Sequence, residues 1–456
     1  MSIQRVLIAN RGEIAIRIIR ACRELGIETV QACSTADQDA LPARMADRFI
    51  RIGGPAPGES YLNVNALVQA ALMAKVDAVH PGYGFLSENA GFAQAVLDAG
   101  LVFIGPDPES IRLMGDKAAA RKLAMEAGVP IAQGSPDPVA DVEEAVRLAH
   151  AIGYPVLVKA SAGGGGRGMR VMENEAQLRE GLERASAEAA AAFGSGAVYI
   201  ERYISPVRHV EVQVMGDGKD VIHLGERDCT IQRRHQKLLE ESPSPIVSAE
   251  LRERMTTAAC KLAKAVKYRG AGTLEFIVDA RAGEFYFIEM NTRIQVEHPV
   301  TEAVTGIDLV KLQLRIAAGE ALPVTQAEVR FRGHAIECRI NAEDPDKGFM
   351  PRPGKITGLV LPAGPGVRVD THVYAGYEPP PYYDSLLAKL VVWDEDRASA
   401  IARMQRALGE LEMDGVTTTR EFHQRLLAHE SFAVADVSTQ FVKERMYAGH
   451  PMRHLL

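Results

Sequence analysis

Hydrophobic positions change their spacing several times along the 456-residue chain, and each change marks a new kind of element. Val6–Ala9 is an unbroken apolar run of strand length. From Glu13 to Leu25 the apolar residues fall at Ile14, Ile18, Ile19, Cys22 and Leu25, the spacing of one helix face, and Gly26 supplies the stop. Ile27–Cys33 predicts a second strand and so a βαβ unit. Helical patterns at Ala66–Ala74 and Phe92–Ala99 then alternate with strand patterns at Ala78–His80 and Leu101–Ile104. Residues 1–112 therefore predict a small doubly wound parallel sheet.

A helix beginning near Asp116 leads into a different texture. Between about Pro130 and Tyr203, strands are predicted at Pro155–Ala160, Met169–Met172 and Val198–Glu201, with an alanine-rich helix at Glu175–Ala192 and a glycine-dense loop. This reads as an α+β lid inserted in a larger unit. From Arg208 the chain becomes frankly β: Val210, Val212 and Val214 alternate with His209, Glu211 and Gln213. A helix at Met255–Val266 precedes strands at Gly272–Val278 and Glu284–Met290. Beyond Arg330 the strand pattern Phe331–Ile340, several Pro/Gly turns and the helix pattern Ala398–Leu411 predict a last α+β domain. The expected domains are 1–112, 113–330 with a lid at about 130–203, and 331–456.

One segment departs from ordinary patterning. An extended backbone through Glu289–Glu297 puts Glu289, Asn291, Arg293, Gln295 and Glu297 on one face and Met290, Ile294 and Val296 on the other. A solvated strand face uses Lys, Thr and Ser interchangeably. This one orders oxygen ligands, a guanidinium, an amide and a carboxylate, and predicts an enzyme handling a metal and an anion. Composition narrows the setting. Net charge is −7 with 47% hydrophobic residues, which gives no general footprint for nucleic acid. Five scattered cysteines without a CxxC pair point to thiols in a reducing compartment. No signal peptide or membrane-length apolar run is read, so the expectation is a cytoplasmic protein outside the membrane.

The turn Asn10-Arg11-Gly12-Glu13 lacks the three-glycine dinucleotide fingerprint. The run Gly163–Gly168 contains GxGxxG, but strands flank it on both sides, so it reads as a hairpin whose backbone N–H groups close over phosphates. Read alone, it also fits a solvent-exposed surface hairpin. Lys159 and Lys117 are candidate phosphate cations. Glu275 points away from the core side chains Leu274 and Phe276, and Glu289 holds the same polar face of the next strand. Paired as a hairpin, the two strands would offer Glu275, Glu289 and Asn291 to Mg²⁺ or Mn²⁺; cross-strand partners of Lys or Arg would look the same. Arg293 beside Glu297 can bind a small planar anion such as bicarbonate and take its proton, or form an ordinary ion pair. His209, His235 and His298 are read as hydrogen-bonding or core residues, and the Arg233–Arg234 and Glu240–Glu241 pairs as solvated loop charges.

Several stretches together resemble the biotin carboxylase subunit of bacterial acetyl-CoA carboxylase, a member of the ATP-grasp superfamily. They are Ile8–Ala15, His80–Asn89, Gly163–Arg170, Glu226–Cys229, Gln232–Lys237, Phe287–Val300 and Pro380–Ser385, in family order. The resemblance implies a parallel-sheet N-terminal domain, an ATP-grasp domain with a Gly-rich lid, and an α+β C-terminal biotin carboxylase domain. It implies that Lys117, Lys159, the Gly165–Gly166 backbone, Glu201, Arg202, Tyr203, Ile204, His209, Gln232 and His235 surround ATP. Glu275, Glu289 and Asn291 would hold Mg²⁺ or Mn²⁺. Lys237, Arg293, Gln295 and Val296 would bind bicarbonate, Glu297 would deprotonate it, and Arg339 would steady the biotin enolate. Carboxyphosphate would form and break down, and the released CO₂ would carboxylate biotin, the first half-reaction toward malonyl-CoA and fatty acids.

The sequence holds no Met-Lys-Met biotinylation site and no acyl-CoA transferase region. The expected partners are therefore a separate biotin carboxyl carrier protein and carboxyltransferase subunits, with a homodimer inferred from the resemblance. Departures from the family pattern are Ala162, a longer turn at Asp346-Lys347-Gly348, Arg352, and Thr418-Thr419-Arg420; none is expected to touch a proposed catalytic position. Competing readings are a carboxylase acting with propionyl-CoA or another acceptor, another ATP-grasp ligase, and a non-catalytic nucleotide-binding module. A kinase is disfavoured, since the His-Arg-Asp and Asp-Phe-Gly motifs are missing.

Overall fold

The computed structural model describes residues 3–135, 137–139, 141–160, 169–193 and 196–450. The glycine run Gly163–Gly168, with Gly165 and Gly166, lies outside the described residues, as does Ala162. The N-terminal sheet is wholly parallel, with strands in the order Arg48–Gly53, Glu28–Ser34, Arg5–Ile8, Ala78–His80, Val102–Phe103. The order reverses beside Arg5–Ile8, and crevices of doubly wound sheets open at that switch point. There the loop after Arg5–Ile8 meets the loop after Ala78–His80: Asn10 Nδ2 donates to the carbonyls of Pro81 and Tyr83, each at 2.7 Å. Gly82, at φ +62°, lies so close that a Cβ would stand 2.8 Å from Asn10 Nδ2. The edge strand Arg48–Gly53 was not expected from sequence, because it is largely exposed and lacks an apolar period.

A small antiparallel sheet of Met169–Met172, Val156–Ala160 and Val198–Arg202 packs with helices Val142–Ile152 and Glu175–Phe193 around its own core, which includes Val146, Val158, Leu178 and Ile200. The main sheet is antiparallel and eight-stranded, in the order Glu284–Asn291, Arg269–Asp279, Arg208–Asp217, Val221–Arg233, Gln236–Ser242, His334–Asn341, Leu386–Asp394, Val367–Thr371. Strands from either side of the expected limit near residue 330 pair directly, with Leu239 opposite Cys338 and Glu240 opposite Glu337.

The alternation of Arg208–Asp217 has a clear consequence. Val210, Val212 and Val214, with Leu274 and Phe276, pack on Met255, Ala259 and Leu262 of the helix Ala249–Ala265. Their neighbours Glu211, Gln213, Thr273 and Glu275 face the other side and are buried as well. That helix begins six residues before the expected Met255, because Ser248 accepts the N–H of Leu251 at 3.2 Å and caps it. The strands Val221–Arg233, Gln236–Ser242 and Leu386–Asp394 were not foreseen; charged residues on a buried face read like loop residues.

The strand expected from Phe331 starts at His334. Gly333, just before it, sits at φ +68°, and a Cβ there would lie 2.2 Å from the Asp394 carbonyl oxygen and 2.7 Å from Trp393 Nε1. Gly333→Ala is expected to cost about 1–3 kcal/mol, read as a lower melting temperature; an unchanged melt would contradict this packing.

Candidate active site

Glu275 and Glu289 stand directly opposite each other on paired strands, and Thr273 stands opposite Asn291. The extended row through Glu297 is corrected: the strand ends at Asn291, the chain turns, and Glu297 is the N-cap of the helix His298–Thr305, at φ −78° and ψ 6°. Pro299 in the first turn favours starting the helix there. The turn brings Glu297 back over the sheet instead of along its edge. His298 is fully buried, with Nδ1 2.7 Å from the Gln295 carbonyl oxygen, the core role expected of it.

Lys237 is the hub. Its Nζ donates to Glu211 Oε2 at 2.6 Å, Glu275 Oε1 at 2.9 Å and Glu297 Oε1 at 2.6 Å. Beneath it lies Arg227, fully buried. Arg227 reaches Glu211 at 2.6 Å, Gln213 at 2.6 Å, Thr301 at 3.0 Å, Thr273 at 3.1 Å and Gln295 at 2.8 Å. Gln295 Nε2 and Asn291 Nδ2 each donate to Glu275 Oε1 at 2.9 Å. Arg293 does not contact Glu297. It holds Glu88 Oε2 and Asn291 Oδ1, each at 2.9 Å.

The second cation on Glu297 comes from the strand next to that of Lys237: Arg339 donates to Glu297 Oε2 at 2.9 Å and to Glu240 Oε1 at 2.6 Å. Burial pushes Glu297 up, but Lys237, Arg339 and Arg227 outweigh it and hold the carboxyl far below the usual range. Lys237 and His209 do the same for Glu275 against its burial. Contrary to the expectation from sequence, the Glu240–Glu241 pair is not solvated. It is buried in Gln236–Ser242, with Glu241 held by His334 and Arg397. The Thr418–Arg420 departure also reaches the site, again contrary to expectation. Thr419 Oγ1 donates to the Arg339 carbonyl at 2.8 Å, and His423 Nε2 lies 2.8 Å from the same oxygen.

Burial pushes Glu240 up to about 7, against the pull of Arg339. A carboxyl raised from its ordinary 4.5 stabilises the fold in its protonated form. That contribution is full below the ordinary value and is lost as pH rises through the folded value. Glu240→Gln copies the protonated form, so its melting temperature should gain on the wild type as pH climbs from about 4.5 to 7. A constant difference across that window would refute the shift.

The residues expected at the nucleotide lie on the lid strands, at a helix start and on the strands around one hairpin. Lys159 Nζ lies 2.5 Å from Glu201 Oε1, and Arg121 pairs with the same carboxylate. Burial lowers Lys159, against the effect of Glu201. Arg202 N–H donates to the Gln133 carbonyl at 2.8 Å and Tyr203 N–H to the Pro155 carbonyl at 3.1 Å, which fixes the path into Ile204. Lys117 is the first residue of the helix Lys117–Glu126, after the cap Asp116. His209 Nε2 is 3.0 Å from Glu275 Oε2, and Gln232 is buried on the strand that ends at Arg233. Arg233 pairs with Gln236, leaving Arg234 and His235 as a two-residue turn with φ of 45° and 66°. Such turns favour Asn-Gly, so an Arg-His pair there holds His235 out at the tip at a conformational cost.

The donor set fits a hard divalent cation. Burial and the charge of Glu275 push Glu289 up, with Lys117 the leading offset, so two facing carboxylates call for added positive charge. Among the described residues, His209, Glu211 and Glu275 also bring ligand atoms within 4.8 Å of one another. Sequence reasoning gave no role to Glu211, Arg227 or Glu88. Glu211 stood in the recognised alternation, and Arg227 and Glu88 stood in stretches that carry the resemblance. Their neighbours, not their spacing, identify them.

Three family models match the chain: "Biotin carboxylase, N-terminal domain" over residues 2–111, "Carbamoyl-phosphate synthase L chain, ATP binding domain" over 116–325, and "Biotin carboxylase C-terminal domain" over 337–444. Biotin carboxylase of Nostoc sp. is 56% identical over 445 residues, covering 97% of this chain and 99% of the relative. One pyruvate carboxylase subunit of Methanothermobacter thermautotrophicus is 53% identical over 441 residues, covering 96% and 89%. The crystal structure of the biotin carboxylase domain dimer of Hydrogenobacter thermophilus 2-oxoglutarate carboxylase, with MgADP, ADP and bicarbonate, superposes with a TM-score of 0.92. That domain is 50% identical, and the match covers 98% of each chain.

Proposed function

Because the chain belongs to the biotin carboxylase family, with that family's three-domain fold and its ATP-dependent carbon–nitrogen ligase activity on biotin, we propose that it serves an acetyl-CoA carboxylase. In this reading it carboxylates biotin borne on a separate biotin carboxyl carrier protein, and carboxyltransferase subunits pass the carboxyl group to acetyl-CoA for malonyl-CoA and fatty acid synthesis. The functional units are residues 1–112, 113–330 and 331–456, the last supplying Arg339. Five free cysteines fit the cytoplasm, and among the described residues no helix is long and apolar enough to cross a membrane. A homodimer is supported by the relative seen as a dimer.

The observation that carries the chemistry is Glu297 held between Lys237 and Arg339. Lys117, Lys159, Gly165, Gly166, Glu201, Arg202, Tyr203, Ile204, His209, Gln232 and His235 bind ATP; Lys237, Arg293, Gln295 and Val296 bind bicarbonate. Glu275, Glu289 and Asn291 would hold Mg²⁺ or Mn²⁺, which neutralises developing phosphate charge. Glu297 takes the bicarbonate proton, and a bicarbonate oxygen attacks the γ-phosphorus as ADP leaves. Carboxyphosphate then splits to CO₂ and phosphate. The freed phosphate takes the N1′ proton of biotin, and the resulting enolate, its oxygen facing Arg339, attacks CO₂ through N1′.

A base held far below neutrality by two cations takes up protons poorly. The same two cations are the ones substrates require. When bicarbonate draws Lys237, Glu297 loses one of the charges that depress it, and its proton affinity rises as the substrate settles.

A second reading rests on the 53% identity to a pyruvate carboxylase component: the same half-reaction feeding pyruvate, propionyl-CoA or another acceptor on a different transferase. The first test is phosphate release from MgATP with bicarbonate and free biotin each added or withheld. Release that needs bicarbonate and rises with biotin supports the proposal. Release indifferent to biotin favours another ATP-grasp ligase, and ATP binding without turnover favours a nucleotide-binding module. Assay of the carboxylated carrier with candidate transferases then separates the acceptors.

A further inference from the structure

Lys389 lies in the strand Leu386–Asp394 and is fully buried, at 0% exposure. Lysine is almost never buried without partners. Its Nζ donates to the carbonyl of Val296 at 2.9 Å and sits 3.1 Å from Glu13 Oε1 and 4.0 Å from Asp370 Oδ2. Glu13 is itself buried, and its Oε1 accepts the hydroxyl of Tyr83, from the loop after Ala78–His80. Asp370 is held at 2.6 Å by Arg368. One buried ammonium thus joins the first helix of the N-terminal domain, Gly12–Glu24, the last strands of the main sheet, and the peptide between Val296 and Glu297.

We propose that Lys389 is a positioning residue for carboxylation: by gripping the Val296 carbonyl it fixes the plane of the Val296–Glu297 peptide, and with it the bicarbonate-binding backbone and the base. The proposal rests on the roles given above to Val296 and Glu297. Charge balance alone does not require this contact, because Glu13 and Asp370 already face the ammonium. Donation to the carbonyl spends one of its three N–H groups on a peptide adjoining the base. An error of about an ångström in such a peptide costs up to roughly a hundredfold in reactivity.

Lys389→Met alone strands the buried Glu13 carboxylate and threatens the fold. The informative variant is therefore Glu13→Gln with Lys389→Met, which removes the buried Lys389–Glu13 pair together and keeps an acceptor for Tyr83. Steady-state phosphate release is measured against bicarbonate and against MgATP, beside the single Glu13→Gln variant, with thermal melts of each. The expected result is a bicarbonate KM raised about tenfold to a hundredfold, with the MgATP KM within about twofold of wild type. Glu13→Gln alone should stay near wild type in both. An unchanged bicarbonate KM in a folded double variant, or equal loss in both KM values, makes Lys389 merely structural and overturns the proposal. Absence of bicarbonate-dependent release in the wild-type protein would instead sink the functional reading, and this inference with it.

Discussion

Glu297→Gln should bind MgATP as the wild type does and lose bicarbonate-dependent phosphate release by roughly 10²–10⁴-fold, the usual share of a positioned general base. The substitution keeps size and shape, so the N-cap of His298–Thr305 survives. It removes the negative charge that Lys237 and Arg339 share. Both cations then face an amide, which offers them one weaker acceptor and takes no proton at neutral pH. Single-turnover phosphate release, with nucleotide affinity measured separately, distinguishes loss of the base from loss of binding. Turnover within a few-fold of wild type would remove Glu297 from the role, leaving bicarbonate to lose its proton elsewhere.

Arg227→Met should destabilise the protein by about 3–5 kcal/mol, the cost of stripping one partner from a buried charged network. Five residues accept hydrogen bonds from this guanidinium: Glu211, Gln213, Thr273, Gln295 and Thr301. None of them is exposed enough to turn to water. Domain stabilities are commonly about 5–15 kcal/mol, so such a loss should appear as a large fall in melting temperature and in soluble yield. Arg227→Lys should recover only part of it, because an ammonium has three donors and no planar fork to span five acceptors. A variant that melts with the wild type would mean that the network under Lys237 reorganises freely.

These two outcomes separate what catalyses from what supports it. Glu297 touches the proposed substrate and Arg227 does not. Arg227 acts through Gln295 and through Glu211, which it shares with Lys237, so the segment proposed to bind bicarbonate is shaped from below by Arg227, from the side by Arg339 and from behind by Lys389.

Much of this was legible before folding. The apolar spacing of Glu13–Leu25, the alternation of Val210, Val212 and Val214, and the facing pair Glu275 and Glu289 all follow local rules. A helix face repeats about every 3.6 residues and a strand face every two, so neighbouring residues alone specify them. What spacing could not give was the fate of polar residues on buried faces. Glu240 and Glu241 read as solvated because nothing nearby in sequence announces Arg339, about a hundred residues later and on the adjacent strand. Lys389 drew no reading from the sequence, because its partners Glu13 and Val296 come from other parts of the chain. The row from Glu289 was wrong in its geometry beyond Asn291, since a turn there is set by the helix that follows. By itself the sequence determined the elements, the donor types and the family pattern. Only the tertiary structure decided which charges meet, because a buried ion pair is fixed by the three-dimensional path that removes both partners from water.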